Sequence, residues 1–166
     1  MCFQSILSGA ECSGGAVFFM SVTISKGDLL AAFALGATAN FPWEMAHSLL
    51  YRDTAGLTLG EHLLCCGLVS LADGAGITTI FALGAAVSKE PRWTRRRSAT
   101  RLGATALLGL GLAVVAEKLA LHLGWWAYGP AMPRVPGTEL GISPLIQFVV
   151  LPLGVLFWAL PRLWRR

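Results

Sequence analysis

A carboxylate inside a bilayer-length apolar run is the first place where this chain could do chemistry. Glu44 lies in an apolar stretch from about Leu29 to Tyr51, at the end of Asn40-Phe41-Pro42-Trp43-Glu44. An acid there is costly to bury, so it marks a candidate functional site. Glu117 sits in another apolar run and Asp73 in a third. Two carboxylates in a low dielectric do not both stay ionised unless each is paired. A pair whose environments differ is a general acid/base device, and equally a proton path or a cation site. In the plainer alternative each acid ties helices together: Glu44 with Asn40 or His47, and Glu117 with Lys118 or His122.

Glu44 and Glu117 are therefore the candidate catalytic acid and base. Asn40, Trp43, His47, Asp73, His122, Trp126, Tyr128 and Gln147 are the candidate binding residues. Glu44, His47, Glu117 and His122 would suit zinc or iron by donor type. They lack HExxH or ExxH spacing, so no metal is assigned and no cofactor is named. There is no Gly-rich phosphate loop, no GxSxG and no Cys/His nucleophile pattern. Ser143 has no base near it in sequence, which leaves a serine hydrolase unsupported. Cys65 and Cys66 read as small packing residues, and no CxxC or zinc spacing exists.

The elements that must position these groups are membrane helices. Of 166 residues, 55% are hydrophobic and only 13% charged, against about a quarter charged in soluble domains. Apolar runs of about 20 residues recur, each long enough to span a bilayer. In lipid the backbone must satisfy itself, so helices or a closed barrel are the options. The alternating strands of a barrel are absent, and the expected fold is an all-α polytopic bundle of four transmembrane helices. These are expected over 28–50, 61–87, 102–125 and 143–160, within one domain spanning 28–161. Residues 1–27 read as a doubtful leader whose true start could be Met20, and 162–166 as a basic tail.

Local signals fit this division. Ser25 or Asp28 can cap the first helix; Ser143 reads as an N-cap with Pro144 at the first helical position. Ala32, Gly36, Asn40 and Glu44 share a face, as do Gly109, Ala113 and Glu117, and small residues at that spacing let another helix approach. The two stripes suggest that the first and third helices pair. On the second helix His62, Cys66, Val69 and Asp73 fall together.

The formal net charge of +4 gathers in Lys89, Arg92, Arg95, Arg96, Arg97 and Arg101 and in the C-terminal arginines. Short basic clusters at span ends are topology determinants, and no nucleic-acid partner is expected. Both termini are then cytoplasmic, with the other two connections outside. Glu44 and Glu117 would lie about 9–10 Å below the outer surface, at 1.5 Å rise per residue. Gln147 comes to a similar depth, Asp73 lies deeper, and Trp125, Trp126 and Tyr128 form an interface belt.

The Asn40-x-x-Trp43-Glu44 motif, Trp126-x-Tyr128, Met132-Pro133, Gly141-x-Ser143-Pro144-x-x-Gln147 and Pro152 resemble a family of small bacterial integral membrane proteins. The resemblance covers most of 28–161 and implies a bacterial inner-membrane location, but no established activity. A fainter likeness is to small-subunit carotenoid cyclases, whose Pro-x-Glu-Glu motif is absent here. It points toward apolar, isoprenoid-like ligands. The expected function is binding or modification of a lipid or isoprenoid. Alternatives are a small proton- or cation-coupled transporter or channel subunit, in a homo-oligomer, and an accessory membrane subunit.

Overall fold

The computed structural model describes residues 22–164. The expectations for the leader up to residue 21 and for Arg165 and Arg166 lie outside the described residues. Four long helices account for most of the rest: α1 (Lys26–His47), α2 (Leu59–Ser88), α3 (Ala99–Leu123) and α4 (Ile142–Leu163). Among the described residues the only β features are isolated bridges. Each helix end falls within a few residues of its expected place.

By length and composition, α2, α3 and α4 can each cross a membrane, which supports a multi-pass membrane protein. The 22-residue α1 is not among them. Asn40, Pro42, Glu44 and His47 make its second half polar. The bundle's exterior is what lipid requires: Leu64, Leu68, Val87, Leu107 and Val115 all face outward. Polar side chains are instead turned inward, with Asn40, Glu44, Glu117 and Gln147 all 6% exposed or less.

Small residues set the helix contacts. A Cβ on Gly74 would lie 2.9 Å from the α1 backbone at Phe33 O and Ala37 N, and one on Gly36 3.1 Å from Gly74 Cα. These glycines let α1 and α2 touch backbone to backbone. On α3, a Cβ on Gly109 would collide with Phe148 O of α4. Pro152 has no N–H to bond that carbonyl, so the oxygen packs against the bare Gly109 backbone. The two small-residue stripes therefore serve different partners: α1 packs on α2, and α3 on α4. The expected pairing of α1 with α3 is corrected, because each stripe found its complement on the helix that follows it.

The caps also differ from expectation at one end. Ser25 caps α1 by accepting from Asp28 N, and Thr58 and Glu61 form a reciprocal capping box on α2. For α4 the N-cap is Gly141, without a side-chain cap. Ser143 is instead the second residue of the helix and its hydroxyl is spent elsewhere, which moves Pro144 to the third position.

The end of the bundle that carries the arginine loop is closed by specific bonds. Trp93 is buried and donates through Nε1 to Phe81 O at 2.9 Å, its ring edge-on to Phe157. Asp28 accepts from Arg92 Nε at 3.1 Å and from Trp164 Nε1 at 2.6 Å. In α4, Val155–Ala159 widen into a π turn. Phe157 O cannot be bonded by Pro161, which lacks an N–H, and it accepts from Arg97 Nε at 3.1 Å instead. Arg101 donates to Trp93 O and to Glu90.

Candidate functional site

At the other end the polar groups behave differently. Side chains from three helices meet at one amide: Gln147 of α4 donates through Nε2 toward Asn40 Oδ1 at 2.8 Å, Glu44 Oε1 at 2.6 Å and Asp73 Oδ2 at 2.9 Å. Asn40 is oriented for this because its own amide donates to Gly36 O at 2.8 Å. Glu44 Oε2 lies 3.0 Å from His47 Nε2, and His47 Nδ1 lies 3.0 Å from Ser143 Oγ. With a carboxylate at Glu44, His47 donates through Nε2–H and accepts the Ser143 hydroxyl proton at Nδ1. The result is an unbroken hydrogen-bonded series: Asp73, Gln147, Glu44, His47, Ser143.

Glu117 stands on the far wall. Its carboxylate accepts from the Tyr128 hydroxyl, and Tyr128 Oη in turn accepts from Gly141 N at 3.0 Å. The expected partners Lys118 and His122 are both exposed, and neither bonds Glu117. A third small cluster links the turn after α1 to the start of α2, with Ser48 Oγ 2.6 Å from His62 Nε2.

The connections supply the cover. Gly129 N donates to Leu50 O at 2.7 Å and Arg52 N to Ala127 O at 2.8 Å, bridging Tyr51 to Tyr128. Asp53 pins the same strap by accepting from Ala127 N. This bridge stacks Tyr51 against His47, Trp126 and Tyr128, with ring centroids 5.4, 6.1 and 5.4 Å away. Burial, then the nearby Glu117 carboxylate, pushes the Tyr51 hydroxyl far above its usual range. Burial and the hydrogen bond to Glu117 do the same to Tyr128.

Beneath the strap is a cavity of about 190 Å³. Glu44, His47, Asp73, Glu117 and Gln147 line it on the polar side; Val69, Ala113, Ala116, Phe148 and Trp126 make its apolar wall. No lysine or arginine lines it. Trp126 Nε1 is buried and has no hydrogen-bond partner among the described residues.

No family model matches this chain, and no curated protein or solved structure is significantly similar to it. The resemblances drawn from its motifs are not supported by these comparisons, and the site must be read from its geometry alone.

That geometry brings together Asn40, Glu44, His47, Asp73, Glu117, Trp126, Tyr128 and Gln147, and it leaves out two of the candidates. His122 is exposed on α3, because the helix turns the residue five after Glu117 toward the outside. Trp43 is half-buried and does not line the cavity, and its indole Nε1 has no partner. With His122 absent, the two-His, two-carboxylate metal set is not assembled, and no metal-holding cluster is formed among the described residues. Ser143, Tyr51, Ser48 and His62 were not selected as site residues from sequence. Ser143 was masked by its apparent capping role, and Tyr51 by its place at a helix end.

Proposed function

We propose that this chain is a bacterial inner-membrane protein with four spans and cytoplasmic termini, whose cavity receives the polar end of a lipid or isoprenoid. The observation that carries this reading is that Glu44, Asp73 and Glu117 reach one apolar-walled cavity with no lysine or arginine to neutralise them. Acids placed only to hold helices would be paired off, as Asp28 is with Arg92. A cavity of about 150 Å³ in an apolar core accommodates benzene, so this one holds a head group or chain end rather than a whole lipid. Glu44 and Glu117 act on the polar group as acid and base; Asn40, Gln147 and His47 orient it, and Trp126 and Tyr128 cover it. The arginine loop, with Arg95 and Arg96 free of partners among the described residues, faces the cytoplasm.

The test is native purification followed by mass spectrometry of bound lipids, comparing Glu44→Gln and Glu117→Gln. A specific lipid present in the native protein and lost from both folded variants supports the reading. A folded protein that carries only bulk lipid in all three forms overturns it.

A second reading, a small proton- or cation-coupled transporter subunit in a homo-oligomer, is favoured by the series from Asp73 to Ser143. pH-driven proton flux in proteoliposomes, abolished by Glu44→Gln, is its signature. An accessory subunit predicts neither a bound lipid nor a flux.

A further inference from the structure

Gln147 has more acceptors than it can serve. Its side-chain nitrogen carries two hydrogens, yet three oxygens surround it within 2.9 Å: Asn40 Oδ1, Glu44 Oε1 and Asp73 Oδ2. Reversing the amide does not help, since it would set four oxygens against one another. Asn40 cannot supply the missing hydrogen, because its NH2 is turned to Gly36 O. The shortfall is met if one carboxyl carries a proton.

We propose that Glu44 and Asp73 share a single proton, that it rests on Asp73, and that Asp73 is the group that delivers it to whatever occupies the cavity. This deepens the reading of the cavity as a ligand site and rests on it. The two acids differ in their support. Glu44 has a partner on each oxygen, Gln147 on Oε1 and His47 on Oε2. Asp73 has Gln147 alone, and its Oδ1 makes no hydrogen bond among the described residues while the residue lines the cavity. The two carboxyls meet at the same Gln147 nitrogen, 2.6 and 2.9 Å from it, and like charges so placed hold one proton between them.

The titratable groups that line the cavity with the pair are His47 on α1, Cys65 and Cys66 on α2, Glu117 on α3, and Tyr51 and Asp53 from the connection after α1. Glu117 and Asp53 are further acids, and no lysine or arginine lines the cavity to stabilise a second negative charge. In the transfer, the Asp73 O–H bond breaks and a new bond forms between that proton and a basic atom of the ligand. The charge left on Asp73 is held by Gln147. Asp73 then regains one proton from outside for each one delivered, and His47 and Ser143 are the polar groups that lead from Glu44 toward that side. Every step moves one proton, and none requires an oxidant or reductant.

The experiment is infrared difference spectroscopy of the purified protein in lipid nanodiscs, titrated with pH, for the C=O stretch of protonated carboxyls. The native protein and Glu117→Gln are expected to show a protonated carboxyl at neutral pH that Asp73→Asn lacks. In Glu44→Gln, with the like charge gone, the band should vanish at a pH at least about one unit lower than in the native protein. If Asp73→Asn does not fold, the native and Glu44→Gln titrations decide between them. Absence of the band in native protein, or its persistence unchanged in Asp73→Asn, overturns the proposal. Lipid analysis of the same samples separates the two readings. A bound lipid without the band leaves the ligand site and removes the proton donor, whereas the band without any bound lipid does the reverse.

Discussion

The two ends of this bundle handle buried charge in opposite ways. At the arginine end, Asp28 meets Arg92 and the Trp164 indole, Arg101 meets Glu90, and Arg97 satisfies the carbonyl that Pro161 leaves free. Around the cavity, Glu44, Asp73 and Glu117 gather with His47 and Tyr51, and no lysine or arginine lines it. Buried charge is tolerated when it is compensated and hydrogen-bonded, so the first arrangement needs no purpose beyond holding the fold. The second leaves an excess of acceptors around Gln147 and an opening of about 190 Å³ beside them. Ionisable groups perturbed by one another in a cleft are where function concentrates.

The largest test of this contrast is Trp93→Ala. Trp93 is 3% exposed and bonded to Phe81 O, and losing it should cost about 4 kcal/mol. Reversible unfolding in mixed micelles measures this, and bound lipid in the fraction that remains folded should be unchanged. Gln147→Leu strikes the other end. It strips the shared donor from Asn40, Glu44 and Asp73, at an expected cost of about 3 kcal/mol, and bound lipid should be lost as well. Equal effects of the two variants on lipid retention would erase the distinction between the ends.

Gly109→Val should cost about 2 kcal/mol by pushing α4 away from α3 at Phe148 O, seen in the same unfolding assay. Tyr128→Phe should cost about 1 kcal/mol and also change the pH profile. The Tyr128 hydroxyl is held above its ordinary value of 10.0 by burial and by Glu117. Its contribution is therefore fully present below that pH and is lost as pH rises beyond it. The phenylalanine variant should lose less stability in the alkaline range than the native protein does. Smallest of all, Arg95→Ala with Arg96→Ala should shift stability by no more than about 0.5 kcal/mol, since both side chains are exposed. Their effect should appear in orientation, read by cysteine accessibility from either side of the membrane.

Much of the architecture was legible without coordinates. Continuous apolar runs interrupted by Pro, Gly and basic clusters locate helices because lipid leaves the backbone no alternative. The inward faces were legible too: Ala32, Gly36, Asn40 and Glu44 are all buried, as are Gly109, Ala113 and Glu117. What a four-residue spacing cannot say is which neighbour a face meets. Small stripes are alike, and the pairing of α1 with α2 and α3 with α4 was decided by the fit of Gly36 to Gly74 and Gly109 to Phe148 O.

The site divides in the same way. By itself the sequence determined that costly acids at Glu44, Asp73 and Glu117 would be placed in an apolar setting, because their residue types in those runs admit few other readings. Only the tertiary structure decided their partners. His47 reaches Ser143, 96 residues away, and Gln147 reaches Asn40 across 107. Tyr128, not the adjacent Lys118, bonds Glu117. Helix geometry explains the last case: neighbouring residues on a helix point about 100° apart, so Lys118 faces outward while Glu117 faces in. The strap that turns Tyr128 back onto Glu117 is held by backbone bonds between loops distant in sequence, and no local pattern of side chains encodes them.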